Sequence, residues 1–590
     1  MSIIQGTSKA AGGAGYEIDQ SIRFDNVAGV NAGGAQMYRL ALTGTPTNDK
    51  KATISAWVKR GNLAGWYPTI AYSGDPNGAT AEVLRFNIDN TLTFAQASSV
   101  YNLTTTQVFR DVGAWYHIVA EIDTANGTSA DRANLYVNGT KVTSLSTANY
   151  PTQNYVTNWT ASSGSIAHTW CTNGIPAAGP SSQLFAGYLA EMFVLDGEKA
   201  GATAFGEFND SGVWIPTAYS GAFGNNGYYM TGETASALGE DFSGNNLDFT
   251  TVALATTDQM LDTPTLNAST FNPLWAGAGL SDGNLVATAT GNAYQWAIST
   301  FAVDDGGKYV CELQKSSGTF GYIGLYQMGN HSVTSGNNYG YFYNLGTGEI
   351  VKNGSAVTDL GTGAANSLMR LEYNSATDTL EFFDDGASIH SATTGLTGQN
   401  SLHFGCAPYG SGTKITATFQ GLSGTPTADF LELTSANLAT PSITDGSAYF
   451  DTKLWTGDDV DGRAITGYNF QPDWVWIKSR SGAYSHNITD AVRGAGNFLL
   501  SNATDAEVDG PDVFGSTLAF TSDGFTLDNG TLSNLYVNAA GVTYAGWGWE
   551  ANGSGSSNED GSINTTATSA NTTAGFSVVK YTPGTGAQTW

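Results

Sequence analysis

The strongest constraint on the fold is a repeated pattern in which apolar and polar residues alternate and each short run ends in turn residues. The stretch WYHIVAEID, residues 115–123, places alternate side chains on opposite faces of a strand. The apolar face consists of Tyr116, Ile118, Ala120 and Ile122, and the opposite face includes His117, Glu121 and Asp123. Downstream, Asn138-Gly139 fits a two-residue hairpin turn, because both residues accept the positive φ of a type I′ turn. The pattern predicts antiparallel strands.

The composition extends this prediction to the whole chain. Aromatic residues make up 12% of the 590 residues and charged residues only 13%, which favours packed structure over disorder. The 74 glycines, together with Asn, Thr and Ser, separate short aromatic or β-branched runs. This distribution is typical of many strands joined by tight turns. We therefore predict an all-β protein of three or four domains, each large enough to fold without a metal or disulfide.

The charge balance narrows the classes of partner. With 51 Asp and Glu against 23 Lys and Arg, the net charge is −28, and no basic run interrupts it. Such a surface repels polyanions, so nucleic acid is excluded as an expected partner. The first twenty residues lack the basic and apolar regions of a signal peptide, and no stretch has the apolar length of a membrane span. We expect no membrane insertion.

Three widely spaced cysteines, Cys171, Cys311 and Cys406, fit neither a zinc site nor a disulfide framework. We expect buried free thiols; a Cys311–Cys406 bridge within one domain is the alternative. The cysteine usage and the expected lack of a leader together suggest synthesis in a reducing cytosol.

Composition shifts along the chain suggest five segments. We predict an N-terminal anchoring arm (1–20), a first sandwich (21–215), a linker (216–270), a second sandwich (271–425) and a C-terminal β-rich domain (426–590). The tail AGFSVVKYTPGTGAQTW is similar to the start of the last domain, SAYFDTKLWTGDD. This similarity suggests the start of a further repeat, in which case the natural chain extends beyond Trp590.

Several motifs carry a resemblance to known domains. In order along 21–215, TISAWVKR, WYHIVAEID, LYVNG and GYLAEMFVLDGE resemble the laminin-G-like/concanavalin-A-like jelly rolls. GKYVCELQ and DTLEFFDDG in the next domain are similar to a SPRY-like or concanavalin-like sandwich. The resemblance implies tandem jelly-roll β-sandwiches, each made of two antiparallel sheets packed face to face, followed by a further β-rich domain.

The chain as a whole resembles a family of virion-associated proteins of marine tailed phages. The stretches that carry this resemblance are GYEIDQSIRFD, GEFNDSGVWIPTAYSGAFGNNGYYM, DFSGNNLDFT, DQMLDTPT and FQPDWVWIKSRS. The resemblance implies a non-enzymatic tail fibre or capsid fibre that binds other virion proteins and contacts host-surface glycans. The protein would be made in the host cytoplasm and released by lysis. By analogy with fibres we expect a homo-oligomer, taken as a trimer.

A catalytic role for Glu121 and Asp123 is the first alternative to consider. Retaining glucanases with a concanavalin-like fold resemble this stretch, since they use Glu-x-Asp-x-x-Glu or a one-residue variant on a strand. Their chemistry needs two carboxyl groups about 5 Å apart. Here Glu121 and Asp123 are followed by Thr124, Ala125 and Asn126, without a second glutamate at either expected position. We therefore predict no enzyme activity. A secreted or cell-surface carbohydrate-binding protein, or a glycan hydrolase, is the alternative function.

Two binding hypotheses concern loops of the first sandwich. The loop from Asp123 to Asp131 offers carboxylates for Ca²⁺, and ordinary solvated acids are the alternative; no other cofactor is expected. Aromatic residues in Gly- and Asn-rich surroundings are candidates for stacking on sugars, with packing in a core or between subunits as the alternatives. These glycan-contact candidates are Trp66, Tyr67, Trp159 and Trp170.

Overall fold

The structure, a computed structural model, consists almost entirely of β-sheets, as the sequence predicts. It describes residues 15–582 except 26–33, 64–66, 76–79, 99, 175–182, 210–211, 304–305, 319, 329–338, 362–366, 397–400, 439–442, 444, 509–513, 532–534 and 562. Helices of the described residues are short 3-10 turns, at Ser129–Asp131, Ala202–Ala204, Ala235–Ala237, Thr256–Asp258, Ser435–Asn437 and Gly446–Ala448. None is long and apolar enough to cross a membrane. The chain forms two compact units, Met1–Ala439 and Thr440–Trp590.

The first sandwich is built from eighteen strands. In chain order they are β1 Ser21–Phe24, β2 Gln36–Arg39, β3 Lys51–Arg60, β4 Thr69–Gly74, β5 Glu82–Phe86, β6 Thr91–Gln96, β7 Asn102–Val108, β8 Trp115–Asp123, β9 Ala133–Val137, β10 Thr140–Lys141, β11 Leu145–Asn149, β12 Ala167–Trp170, β13 Gly187–Asp196, β14 Gly206–Phe208, β15 Trp214–Pro216, β16 Tyr228–Met230, β17 Thr250–Val252 and β18 Gln259–Met260.

Two eight-stranded sheets face each other in this sandwich. The inner sheet has the order β10-β9-β8-β3-β13-β1-β18, with β16 beside β13, and the second sheet has the order β11-β7-β6-β5-β4-β12-β2-β17. The predicted apolar face of β8, which includes Tyr116 and Ile118, lies in the core between the sheets. The predicted linker 216–270 contributes β16, β17 and β18, so this stretch is integrated into the sheets.

A third layer covers the outer face of the inner sheet. It is formed by the segment around β14 and β15, and it buries Trp57, Trp115 and Val119 in a second apolar cluster with Phe205 and Trp214. The polar face of β8 is therefore buried as well. Part of the predicted arm joins this layer: the Tyr16 hydroxyl donates to the Glu191 carboxylate over 2.9 Å. Residues 1–14 of the arm lie outside the described residues.

The second sandwich follows in the same compact unit. Its strands are β19 Phe271–Ala276, β20 Gly279–Ser281, β21 Val286–Thr288, β22 Ala297–Ser299, β23 Lys308–Ser317, β24 Phe320–Gln327, β25 Gly340–Asn344, β26 Glu349–Lys352, β27 Ser355–Asp359, β28 Leu368–Asn374, β29 Thr379–Asp384, β30 Ala387–Thr393, β31 Leu402–Tyr409, β32 Lys414–Thr418 and β33 Leu431–Glu432. One sheet has the order β19-β22-β31-β24-β25-β26-β27, and the other β20-β21-β32-β23-β28-β29-β30, with β33 beside β23.

The C-terminal unit contains three smaller sheets. Its strands are β34 Phe450–Thr456, β35 Arg463–Thr466, β36 Trp474–Ser479, β37 Asn487–Asp490, β38 Phe498–Leu500, β39 Ser516–Thr521, β40 Gly524–Asp528, β41 Thr543–Trp549, β42 Thr565–Asn571 and β43 Phe576–Tyr581. A five-stranded sheet, β34-β41-β36-β37-β38, and a three-stranded sheet, β35-β40-β39, contribute to one core, and β42 and β43 form a hairpin.

The cysteines are placed as expected. Cys171, Cys311 and Cys406 are all buried, and all three are free thiols. Burial raises the pKa of each thiol. A raised thiol pKa keeps the group protonated and unreactive, so these residues serve as small apolar core side chains.

A buried ammonium group connects the first sandwich to the segment that leads into the second. Lys59 on β3 is 1% exposed. Its Nζ donates to Asp262 Oδ2 over 2.7 Å, to Asn267 Oδ1 over 2.8 Å and to the Ala268 carbonyl over 2.7 Å. The other carboxylate oxygen of Asp262 accepts from Trp115 Nε1 over 3.0 Å. All three ammonium protons have acceptors, as a buried charge requires.

We expect Lys59→Met to destabilise the protein by about 3–5 kcal/mol, because it leaves the Asp262 carboxylate buried without its counter-charge. Urea unfolding of the full chain, followed by tryptophan fluorescence, measures the loss. The double variant Lys59→Met/Asp262→Asn should recover part of it. Lys308→Met is the control: Lys308 is 39% exposed and pairs with the 79% exposed Asp429, so a change below about 0.5 kcal/mol is expected. Equal losses for both single variants would contradict this role for Lys59.

Candidate functional site

A cleft opens where the third layer of the first sandwich meets the β9–β10 hairpin. It encloses about 670 Å³, a volume within the range of small-ligand sites. Its walls come from β3, β8, the hairpin, β14, β15 and the segment that carries Asn267. The cleft lining includes Trp57, Trp115, Trp214, Phe208, Asn138 and Lys141.

The aromatic wall of the cleft is held by a stack of rings around His117. The imidazole lies between Trp57, at a centroid distance of 4.8 Å, and Trp214, at 5.9 Å. The rings of Phe208 and Trp214 lie 4.9 Å apart, centroid to centroid, at an interplanar angle of 68°. Phe208 is 54% exposed, whereas Trp214 is 8% exposed. Phe208 therefore presents the accessible aromatic surface, and the rings behind it give rigid support.

The hairpin turn fits closely under this wall. Asn138 and Gly139 have φ values of 46° and 77°, as the predicted type I′ turn requires. A Cβ atom at Gly139 would lie 2.2 Å from Cε3 of Trp214. Glycine is therefore needed here both for the backbone conformation and for the close approach of the indole ring.

Hydrogen bonds fix the tautomer of His117. Trp214 Nε1 donates to His117 Nδ1 over 3.1 Å, and since an indole N–H can only donate, Nδ1 must be the acceptor nitrogen. The proton therefore sits on Nε2, which donates to Ser55 Oγ over 2.9 Å. Burial lowers the pKa of His117 to about 3. The ring is thus a neutral structural spacer between two indoles.

The rim of the cleft is polar. Gln107, Thr140, Lys141, Thr143 and Ser144 are all exposed and line the opening. Lys141 carries the only formal charge among the described residues that line the cleft, and its Nζ lies 3.8 Å from Asp131 Oδ1. The site therefore combines an exposed aromatic ring with neutral hydrogen-bonding groups and one ammonium group.

The two carboxylates of β8 lie elsewhere and have structural roles. Glu121 is 2% exposed and accepts hydrogen bonds from Asn134 Nδ2 over 2.8 Å and from the Tyr136 hydroxyl over 3.0 Å. Asp123 Oδ2 lies 3.6 Å from Lys51 Nζ on the neighbouring strand. Neither group lines the cleft, which agrees with the interpretation of these residues as polar groups of the sheet face.

In the loop from Asp123 to Asp131, the groups that could bind Ca²⁺ already have partners within the protein. Its backbone carbonyls already accept hydrogen bonds from the guanidinium of Arg132, which reaches the carbonyls of Asn126 and Gly127 over 2.8 and 3.1 Å. Asp123 and Asp131 each pair with a lysine instead. Among the residues that the structure describes, no group of three or more metal-ligating side chains occurs.

The predicted glycan-contact residues divide into three cases. Trp159 and Trp170 are 0% exposed and lie in the core between the sheets, so neither can stack on a sugar, which corrects the expectation of surface rings. Tyr67 is half-buried under the guanidinium of Arg85, 4.4 Å from its centroid, with a φ of 53°. Trp66 lies outside the described residues. Gly- and Asn-rich surroundings did not distinguish core tryptophans from exposed ones.

The residues of the cleft come from stretches that single-sequence patterns do not connect. Phe208 and Trp214 belong to the phrases GEF and VWIP. These phrases contribute to a family resemblance, but nothing in them predicts a binding site. Trp57 and Trp115 alternate with core residues and therefore predict a sheet face, not a cleft. The one local signal is the Asn138-Gly139 turn, which marks where the hairpin tip lies.

Comparisons with known proteins support the domain types. Residues 33–198 match the family described as the concanavalin A-like lectin/glucanases superfamily, and residues 445–590 match a family described as a domain of unknown function. The first match agrees with the predicted concanavalin-A-like/laminin-G-like sandwich. No curated protein matches the chain.

Two solved structures match parts of the chain. The SPRY domain of human HERC1 is 14% identical over 26% of this chain and 99% of its own length, with a TM-score of 0.23. The native heptameric SAP-like pentraxin from Limulus polyphemus is 17% identical over 31% of this chain and 78% of its own length, also with a TM-score of 0.23.

We expect His117 to remain neutral well below its usual pKa of 6.5. The folded protein accepts only the neutral ring, because the pKa of His117 is lowered to about 3 in the fold. Below pH 6.5 the unfolded chain therefore binds more protons at this residue than the folded chain does. The free energy of unfolding consequently decreases as the pH falls from 6.5 towards 3. NMR titration of the imidazole C–H signals in the full chain provides the measurement. His486, which lies near the surface, is the internal control and should titrate at a higher pH than His117. A His117 transition near pH 6 would contradict the buried, neutral assignment.

Proposed function

We propose that the first sandwich binds glycans through the cleft and that the chain is a non-enzymatic structural protein of a tailed-phage particle, such as a tail fibre or capsid fibre. The observation that carries the binding proposal is the exposed ring of Phe208, backed by Trp214 and surrounded by a polar rim. The concanavalin A-like lectin family match of residues 33–198 is consistent with carbohydrate binding.

The chemistry of the cleft suits a sugar ring. The C–H face of a pyranose is apolar and packs against an aromatic face, while its hydroxyl groups need donors and acceptors around the edge. Phe208 supplies the aromatic surface, and Gln107, Thr143 and Ser144 at the rim supply the hydrogen-bonding groups. Lys141 adds a positive charge, which favours glycans that carry a carboxylate or sulfate group.

The lining supports binding without catalysis. The described residues that line the cleft include hydroxyl groups but no carboxylate, imidazole or thiol. A hydroxyl without a neighbouring base is a weak nucleophile, and glycoside hydrolysis needs two carboxyl groups. The hydrolase alternative would require a different site. Incubation of the full chain with algal and bacterial polysaccharides should release no reducing sugar, and release that exceeds a heat-treated control would contradict this proposal.

The particle-bound role rests on the resemblance of stretches such as DFSGNNLDFT and FQPDWVWIKSRS, together with the acidic composition. We propose other virion proteins as partners, a homotrimer as the assembly and the virion as the location. A secreted or cell-surface carbohydrate-binding protein is the second candidate, since the cleft would bind a glycan equally well in such a protein and in a particle-bound one. Light scattering should give an oligomer mass, and electron microscopy with an antibody to this chain should label particles. A monomer that is absent from particles would contradict the structural role.

For the cleft, we expect Phe208→Ala to weaken glycan binding at least about tenfold, which corresponds to about 1.4 kcal/mol. A glycan array with the full chain identifies a ligand, and calorimetry then measures its affinity for each variant. The matched control is Phe320→Ala on the second sandwich, since Phe320 is 40% exposed and lies outside the cleft. The absence of any array hit, or equal affinities for the two variants, would contradict glycan binding at this site.

A further inference from the structure

The five-stranded sheet of the C-terminal unit has one apolar face that its own core does not use. In the phrases WVWIK and WGWE, every second residue is a tryptophan, so both indoles of each strand point to the same side. The strands β36 and β41 are paired so that Trp474 lies opposite Trp549 and Trp476 opposite Trp547. We call the resulting surface the tryptophan face. It consists of Trp474, Trp476, Trp547, Trp549, Phe450, Leu454, Ile488 and Leu499.

The core of the unit lies on the other side of the same sheet. Val475 and Ile477 of β36, together with Trp455 of β34 and Tyr544 of β41, pack in that core. None of the four tryptophans of the tryptophan face belongs to this cluster. One side of the sheet therefore packs in the core of the unit, and the tryptophan face, on the other side, does not.

Much of this face is open. Phe450, Leu454 and Leu499 are 41%, 62% and 39% exposed, and the four indoles are half-buried against one another. Within the described residues, Phe576 of the β42–β43 hairpin covers one end, with its ring 6.0 Å from Trp549 and 6.3 Å from Trp474. Contiguous exposed apolar surface of this kind marks interaction sites in soluble proteins.

The composition of the face favours a protein partner over a sugar. The indole pairs are tilted, by 78° between Trp474 and Trp549 and by 43° between Trp476 and Trp547. They therefore offer no flat platform for a pyranose ring. The leucine side chains add apolar surface without hydrogen-bonding groups, which a glycan would leave unused.

Charge limits where two copies of this unit can meet. Residues 445–590 contain 16 Asp and Glu but only 6 Lys and Arg, so two copies of this unit repel each other over most of their surface. Among the described residues, the ionisable groups at the margin of the tryptophan face are Lys478, Asp490 and His486, whose ring lies 6.2 Å from that of Trp476. Lys478 Nζ donates to the carbonyls of Ser479 and Gly482, and Asp490 accepts from Arg493. This face is where two acidic copies can meet without like-charge contact.

We propose that the tryptophan face is a self-association surface, on which the C-terminal sheets of two copies from different trimers pack face to face, because a two-fold contact does not close a trimer. Twisted sheets with the same hand pack in this way at about 10 Å, and an isologous contact is self-complementary by symmetry. Five strands about 4.8 Å apart and about 20 Å long offer roughly 500 Å². An interface of that size is small and reversible, so association in the range of about 10–100 µM is expected.

The test compares two leucines of the same unit. Leu454→Glu adds a charge on the tryptophan face, and Leu518→Glu adds the same charge on the three-stranded sheet, where Leu518 is 46% exposed. Sedimentation velocity of the full chain from 1 to 200 µM should show that the average mass of the wild type and that of Leu518→Glu rise over the same concentration range. Leu454→Glu should need at least about tenfold higher concentration to reach the same mass. Near-ultraviolet circular dichroism confirms that both variants are folded.

Three outcomes would overturn the proposal. These are a wild-type mass that does not change with concentration, equal association of the two variants, and a Leu454→Glu variant that loses glycan binding while its mass curve is unchanged. The last result would identify the face as a second sugar site. The first two outcomes leave the Phe208 experiment unaffected, and in the third Phe208→Ala still tests the cleft separately, so failure of one proposal is distinguishable from failure of the other.

Discussion

The buried contact between Lys59 and Asp262 sets the geometry of the first compact unit. A buried ammonium group is tolerated only because three acceptors surround it, and all three come from residues 262–268 in the segment that enters the second sandwich. The acceptor groups are therefore held within hydrogen-bonding distance of Lys59 on β3. The Tyr188 hydroxyl adds a contact to the Gly283 carbonyl of the second sandwich. The stretch predicted as a linker thus becomes a rigid connection.

The third layer converts an ordinary sheet face into a site. A sandwich normally leaves one face of each sheet to solvent, and the alternation in β8 predicts that His117 and Glu121 lie there. Instead the segment around β14 and β15 covers this face and buries both residues. Where the cover ends, beside the β9–β10 hairpin, Phe208 and the polar rim form the cleft. The candidate site exists because the covering layer is incomplete.

The sequence was sufficient for features set by neighbouring residues. The Asn138-Gly139 turn and the core face of β8 follow from local rules, and the structure confirms them. Contacts between distant residues could not be predicted in this way. Lys59 and Asp262 are 203 residues apart, and nothing near either one identifies the other. Trp159 lies in a polar loop, yet a separate strand brings Phe94 to within 6.2 Å of its ring.

Tryptophans that project from the outer face of a sheet have different consequences in the two units. In the first sandwich, Trp57 and Trp115 project from the outer face of a sheet, and the same chain covers them with Trp214 and Phe205. In the C-terminal unit, the tryptophan face is covered only at one end, by Phe576, within the described residues. Apolar area left in water costs about 25 cal/mol per Å². At that rate, each 100 Å² of this face that stays in water forgoes about 2.5 kcal/mol of burial. A partner that covers the face would recover part of that free energy, so the difference between the two units favours an intermolecular contact for the second.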